Sequence, residues 1–165
     1  MSNEIETTND AGGDVAANQP SRRDVMTMVV AGQLFGVPVL SVQDVLGPQR
    51  LSRVPLAPNE VAGSLNLRGR IVTAIDVRKR LRLPPRPDGD AGMNVVIECG
   101  GGLYSLIVDS VGEVLSLSGS AYERNPATLD PVWRDISVGI YRLKDALLVM
   151  VDVARLIGTT QAQAA

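Results

Sequence analysis

The sequence predicts an all-β protein with a few short helices, arranged as a sandwich or as small barrels. Short runs rich in Val, Ile and Leu alternate with Gly and Pro turn signals, a pattern typical of those folds. The chain has 165 residues, of which 45% are hydrophobic but only 3% aromatic, so the core is aliphatic. A third observation, an internal repeat, divides the chain into two similar modules.

The repeat consists of two matches that keep their order along the chain. LFGVPVLSVQDVL at 34–46 recurs as LYSLIVDSVGEVL at 103–115, and VAGSLNLRGRIVTAIDV at 61–77 aligns with SVGIYRLKDALLVMVDV at 137–153, with Gly63 opposite Gly139. A module of about 60 residues is marginal alone. We therefore expect the two modules to pack together and share a core, while a closed barrel for each would remove exposed strand edges.

The first module follows an acidic segment, residues 1–23, which has few large apolar residues and is predicted to be disordered. Strands are predicted at 25–31 and 34–37, at 50–54, and at 61–67 and 70–75, the last two joined at Arg68 and Gly69. Ser41 is expected to cap a short helical turn that has Asp44 in it, and Asp76 to cap another.

The second module follows a Pro-rich linker at 84–91. Strands are predicted at 94–99, 103–108, 111–117, 136–143 and 146–151, after which Asp152 caps a helix at 153–157 that ends at Gly158. Residues 159–165 are predicted to be disordered. The folded domain is thus expected at 24–158, with halves at 24–83 and 92–158.

The residues that carry most enzyme chemistry are scarce. The chain has no His and one Cys, Cys99, and it contains no phosphate-binding glycine motif. We therefore expect no catalytic residue, no metal and no cofactor. The single Cys suits a reducing compartment, and no apolar run is long enough to span a membrane, which together predict a cytoplasmic protein.

One basic run, Arg68 to Arg86, leaves two interpretations open. It is either a solvated face or an RNA-binding surface, although it lacks the interleaved aromatics that stack on bases. Arg68 stands apart because a guanidinium at a hairpin tip suits capture of a carboxylate. Val42 is likewise either a core residue or an apolar anchor at the mouth of the cleft between the modules.

Several segments resemble the CheW family, the coupling proteins of bacterial chemotaxis. They are FGVPVLSVQDVLG (35–47), VPLAPNEVAGSLNLRGRIVTAIDVRKRL (54–81), LIVDSVGEVL (106–115) and SVGIYRLKDALLVMVDVARLIG (137–158). The resemblance implies two packed five-stranded SH3-like barrels, and it allows strands to be exchanged between the halves. It also implies an adaptor without catalysis that binds the regulatory domain of the histidine kinase CheA and the cytoplasmic tip of chemoreceptors, in receptor arrays. Nucleic-acid binding and membrane insertion are not expected.

The resemblance also assigns site residues. Those implied to bind the receptor are Val42 and Asp44, with Asn66, Leu67, Arg68 and Gly69 of the N-L-R-G motif. The implied kinase contacts are Val108 and Asp109. Ser41 and Asp44 depart from the residues common at these positions, which bears on partner preference.

Overall fold

Strands dominate the computed structural model of the protein, which describes residues 22–164, with side chains to Gly158. The strands are β1 (Arg22–Val30), β2 (Gln33–Pro38), β3 (Val42–Leu46), β4 (Val61–Leu67), β5 (Arg70–Asp76), β6 (Met93–Cys99), β7 (Gly102–Val108), β8 (Ser110–Ser118), β9 (Tyr122–Glu123), β10 (Ser137–Arg142) and β11 (Leu147–Val151). The helices are α1 (Val77–Arg80), α2 (Pro131–Arg134) and α3 (Val153–Ala164), with 3₁₀ turns at Val39–Ser41 and Gly119–Ala121. The predicted fold class is confirmed.

The strands form two sheets, each of which draws on both halves of the chain. Sheet A has the order β8-β1-β2-β11-β10-β9, and sheet B has the order β3-β6-β7-β5-β4. The β1–β2 hairpin joins sheet A through a parallel pairing of β2 with β11, and the β6–β7 hairpin joins sheet B through a parallel pairing of β7 with β5. Each sheet therefore contains one hairpin from each side of the 84–91 segment.

The two sheets repeat each other in detail. The chain that leaves β3 returns to pair Ser52 with Ser64 of β4, and the chain that leaves β8 returns as β9 to pair with β10. Gly63 and Gly139, which the repeat aligns, each lie at a β-bulge in the last hairpin of their sheet. The matching bulges and the matching returning segments support the duplication inferred from sequence.

The largest apolar cluster lies between the sheets. It combines residues of sheet A, such as Phe35 and Val149, with residues of sheet B, such as Ile75 and Leu106, and all four are 0% exposed. Two smaller clusters lie on the opposite face of sheet B and on the opposite face of sheet A, respectively. The shared cluster makes the two barrels one structural unit.

Two predicted elements in the first half are wrong. The helical turn expected after Ser41 is instead the 3₁₀ turn at Val39–Ser41, and the residues that follow form β3, because pairing with β6 uses their backbone groups. The strand expected at 50–54 is reduced to the single pair Ser52–Ser64. At the first place tertiary pairing overrides the local signal.

The ends of the folded region also differ from expectation. Strand β1 begins at Arg22, where it pairs with Ser118, so residues 22 and 23 are not part of a disordered segment. Residues 1–21, also predicted to be disordered, lie outside the described residues. At the other end Gly158 has non-helical dihedrals as expected, but helical backbone resumes beyond it to Ala164, where disorder was predicted.

Candidate functional site

The tip of the β4–β5 hairpin is a tight turn at Arg68 and Gly69. Their φ angles are +51° and +84°, and positive φ at both central residues is what a two-residue hairpin of this kind requires. The backbone N–H of Gly69 donates to Oδ1 of Asn66 at 2.8 Å, while Leu67 packs against the smaller apolar cluster of sheet B. The turn therefore holds Arg68 in a fixed position at the surface.

Arg68 and Asp44, both predicted site residues, are brought together although they are far apart in sequence. Nη2 of Arg68 lies 3.2 Å from Oδ2 of Asp44, and their side chains are 80% and 24% exposed. Oδ1 of Asp44 accepts a hydrogen bond from the N–H of Val45 at 2.9 Å, which fixes the carboxylate on β3. The pair links the first strand of sheet B to its last hairpin and leaves most of the guanidinium in solvent.

Val42 is half-buried and packs against the shared core, so it is partly a core residue. Val111, its counterpart in the repeat, occupies the same environment on β8. Two further side chains continue these core-facing surfaces into solvent. Val114 lies directly opposite Met26, which packs on the shared core, yet Val114 is 52% exposed.

Ile71 extends the matching face of sheet B. It lies on the same side of β5 as Ile75, because alternate residues of a strand share a face, and Ile75 belongs to the shared core. Ile71 is nevertheless 68% exposed. We refer to this set of partly exposed apolar side chains on the core-facing surfaces as the seam; its members are Met26, Val42, Ile71, Val111 and Val114.

The two predicted kinase-contact residues are held inside the protein to different degrees. Val108 is 0% exposed within the shared core, so its side chain is not available to a partner. The side chain of Asp109 is 17% exposed and forms two hydrogen bonds with Arg78, at 3.0 and 2.6 Å. Oδ2 of Asp109 also accepts the N–H of Ala31 at 2.8 Å. Asp109 thus joins β7 to the turn of the β1–β2 hairpin and to α1.

This ion pair shifts the titration of both partners. Burial by itself would raise the pKa of Asp109, but the hydrogen bonds from Arg78 and Ala31 outweigh it and hold that pKa below its usual value. The hydrogen bond to Asp109 in turn raises the pKa of Arg78. The pair is therefore charged at neutral pH.

Much of the predicted basic run is occupied by contacts within the chain. Arg78 pairs with Asp109, Arg80 donates to the carbonyls of Leu156 and Arg155 at 2.7 and 2.9 Å, and Arg86 pairs with Asp76 at 3.4 Å. The run is therefore neither a fully solvated face nor a continuous basic surface for RNA.

Sequence reasoning missed Ile71 and Val114. Both lie in strands rich in apolar residues, and that pattern does not show that the strand extends beyond the core at Ile71 and Val114. In the described part of the chain, no group of three His, Cys, Asp or Glu residues is placed to hold a metal ion. None of the helices in that part is long and apolar enough to cross a membrane.

Comparison with known proteins gives a consistent result. "Chemotaxis protein CheW" of Bacillus subtilis (strain 168) is 27% identical over 144 residues, covering 86% of this chain and 90% of that protein. The protein of the same name from Klebsiella aerogenes is 23% identical over 145 residues, covering 88% and 87%. The crystal structure of the scaffolding protein TtCheW from Thermoanaerobacter tengcongensis superposes with a TM-score of 0.74 at 25% identity, covering 84% of this chain and 94% of that one. The family model described as CheW-like domain matches residues 24–161, and the chain therefore belongs to the family of CheW-like domains.

Proposed function

We propose that the protein is a non-catalytic adaptor of bacterial chemosensory signalling, which couples chemoreceptors to the histidine kinase CheA on the cytoplasmic side of receptor arrays. Membership of the CheW-like family supports the adaptor role, as do relatives named as chemotaxis and scaffolding proteins. The seam is the observation that carries the receptor part of the proposal.

The seam suits a helical partner. Its exposed members are aliphatic, and a helix that lays an apolar face along them would bury surface that the two sheets leave open. Ile71 and Arg68 lie on the same hairpin, so a helix bearing a carboxylate near its apolar stripe would satisfy both. The in-chain partner of Arg68, Asp44, orients the guanidinium without covering it.

The kinase contact is proposed to use a different surface from the receptor contact. We place it on the outer surface of a barrel, away from the seam, where the regulatory domain of CheA would bind. Of the two residues assigned to it, only Asp109 reaches the surface, and its charge is already shared with Arg78.

The receptor part is tested by co-sedimentation of the purified protein with receptor-containing membranes and CheA. Arg68→Glu and Val114→Asp are expected to weaken capture by the receptor about tenfold each, since one reverses a charge and the other places a carboxylate in the seam. Neither is expected to unfold the protein, because an ion pair in which Arg68 is 80% exposed contributes less than about 1 kcal/mol, and Val114 is 52% exposed.

The matched controls are Arg124→Glu and Val138→Asp, which alter exposed residues outside the seam and the hairpin tip. They are expected to sediment with receptor and kinase as the parent does. If Arg68→Glu and Val114→Asp also sediment normally, the assignment of the seam to the receptor is wrong.

A further inference from the structure

The loop between β3 and β4 presents apolar side chains that the described part of the chain does not cover. Leu56 is 102% exposed and Val54 is 38% exposed. Leu56 also has a φ of +61°, a conformation that is uncommon for a bulky residue without functional constraint. A fully exposed leucine in a strained turn calls for a reason outside the intramolecular packing.

The repeat shows what such a loop does when its apolar residues have a partner within the chain. The corresponding loop of the second half, between β8 and β10, folds helix α2 and buries Leu129 and Trp133 in the shared core at 6% and 5% exposure. The loop of the first half is shorter and sends neither Val54 nor Leu56 into any of the apolar clusters of the described residues.

The surroundings of these residues are basic. A cavity of about 570 Å³ lies beside the loop, and its lining includes Arg53, Val54, Leu56 and Lys79 but no carboxylate. Within residues 22–164 neither Arg53 nor Lys79 is ion-paired. The loop does contain one acid, Glu60, but it does not line the cavity. We call Arg53, Val54, Leu56 and Lys79 the loop patch.

We propose that the loop patch binds an acidic protein segment, which places an apolar side chain against Leu56 and carboxylates against Arg53 and Lys79. The charge of the patch is opposite to that of the whole chain, which is −2, so its basic character is local. A membrane surface is a poorer fit, because recognition of anionic lipid typically takes about 4–8 basic residues and the patch has two. This surface shares no residue with the seam, and the inference goes beyond the adaptor function.

The test is an NMR titration of the isotope-labelled full-length protein with a short synthetic peptide that has one central leucine flanked by glutamates. Amide signals of Arg53, Leu56 and Lys79 are expected to shift, and the affinity to fall as salt is added. Leu56→Ser and Arg53→Glu are each expected to weaken binding about tenfold. Leu40→Ser is the matched control, since Leu40 is 92% exposed but lies outside the patch, and it is expected to bind as the parent does.

Three results with the glutamate peptide or with vesicles would overturn the proposal. They are an absence of shifts at millimolar peptide, an equal loss of binding in Leu40→Ser, and sedimentation of the protein with anionic vesicles in place of peptide binding. A peptide in which glutamine replaces glutamate is expected to lose the interaction, and retained binding would count against the charge argument. None of these outcomes depends on receptor or kinase binding, so the adaptor proposal is tested separately.

Discussion

At the scale of the residue, the ion pair between Arg78 and Asp109 contributes more to the stability of the fold than the exposed pair at the hairpin tip. The side chains of Arg78 and Asp109 are 14% and 17% exposed, against 80% for Arg68. Coulomb attraction is screened less where water is excluded, and removal of one partner leaves the other charged and poorly solvated. Asp109 also links the turn of the β1–β2 hairpin, through Ala31, to helix α1, through Arg78.

The depressed pKa of Asp109 gives a pH-dependent prediction. Because its pKa is lower in the folded state than its ordinary value of 3.8, its stabilising effect is present above that value and is lost as pH falls through the folded pKa. Asp109→Asn is expected to lower the free energy of unfolding by about 3 kcal/mol at about pH 7, and by less at about pH 3, which lies below the ordinary pKa of 3.8.

Urea unfolding at the two pH values measures this difference, with Asp88→Asn in the exposed linker as the control that should change little at either. An equal loss for Asp109→Asn at both pH values would show that the carboxylate charge is not responsible.

At the scale of the element, the bulge glycines decide how each barrel closes. An added Cβ at Gly63 would lie 2.6 Å from the carbonyl oxygen of Ser52 and 2.8 Å from Cβ of Leu51. The side chain of Tyr122 would meet a Cβ at Gly139 in the same way. In both barrels the returning segment therefore packs directly on a bare backbone.

Gly63→Ala is accordingly expected to destabilise the protein by about 2 kcal/mol or more, since the clash involves backbone that pairs with β4. The free energy of unfolding from thermal or urea denaturation measures the effect. Gly47→Ala is the matched control, because a Cβ there meets nothing within 4 Å. A comparable loss of stability in both variants would contradict the role given to the close contact between Gly63 and the returning segment.

The sequence predicted most elements because their signals were local. The hairpin at Arg68 and Gly69, the caps at Asp76 and Asp152 and the second-half strands all follow from turn and capping residues in the sequence. The helical turn after Ser41 was mistaken because backbone pairing of β3 with β6, a contact distant in sequence, outweighs a capping preference worth about 1 kcal/mol.

At the scale of the whole molecule, the exchange of hairpins makes the two halves interdependent. Sheet A needs β1 and β2 from the first half with β10 and β11 from the second, and sheet B needs β4 and β5 with β6 and β7. We propose that neither 24–83 nor 92–158 folds alone, and that the chain unfolds in one cooperative transition.

Fragments 1–83 and 84–165 test this. Each is expected to lack a cooperative thermal transition in circular dichroism, because every hairpin loses a neighbouring strand that the other fragment supplies, whereas an equimolar mixture should recover the β-sheet spectrum of the intact chain. A cooperative melt of either fragment on its own would refute the interdependence.

The sequence by itself determined the repeat, the all-β class and most turns and caps, while the roles of Asp44 and Arg68 in partner binding stay predictions. Only the tertiary structure decided that these two pair with each other, that Val108 is buried, and that Ile71, Val114 and Leu56 face solvent. The physical reason is that turn and cap preferences act over a few residues, whereas burial and ion pairing depend on which strands become neighbours. The packing of the two sheets decides which strands are neighbours, and a short stretch of sequence does not specify it.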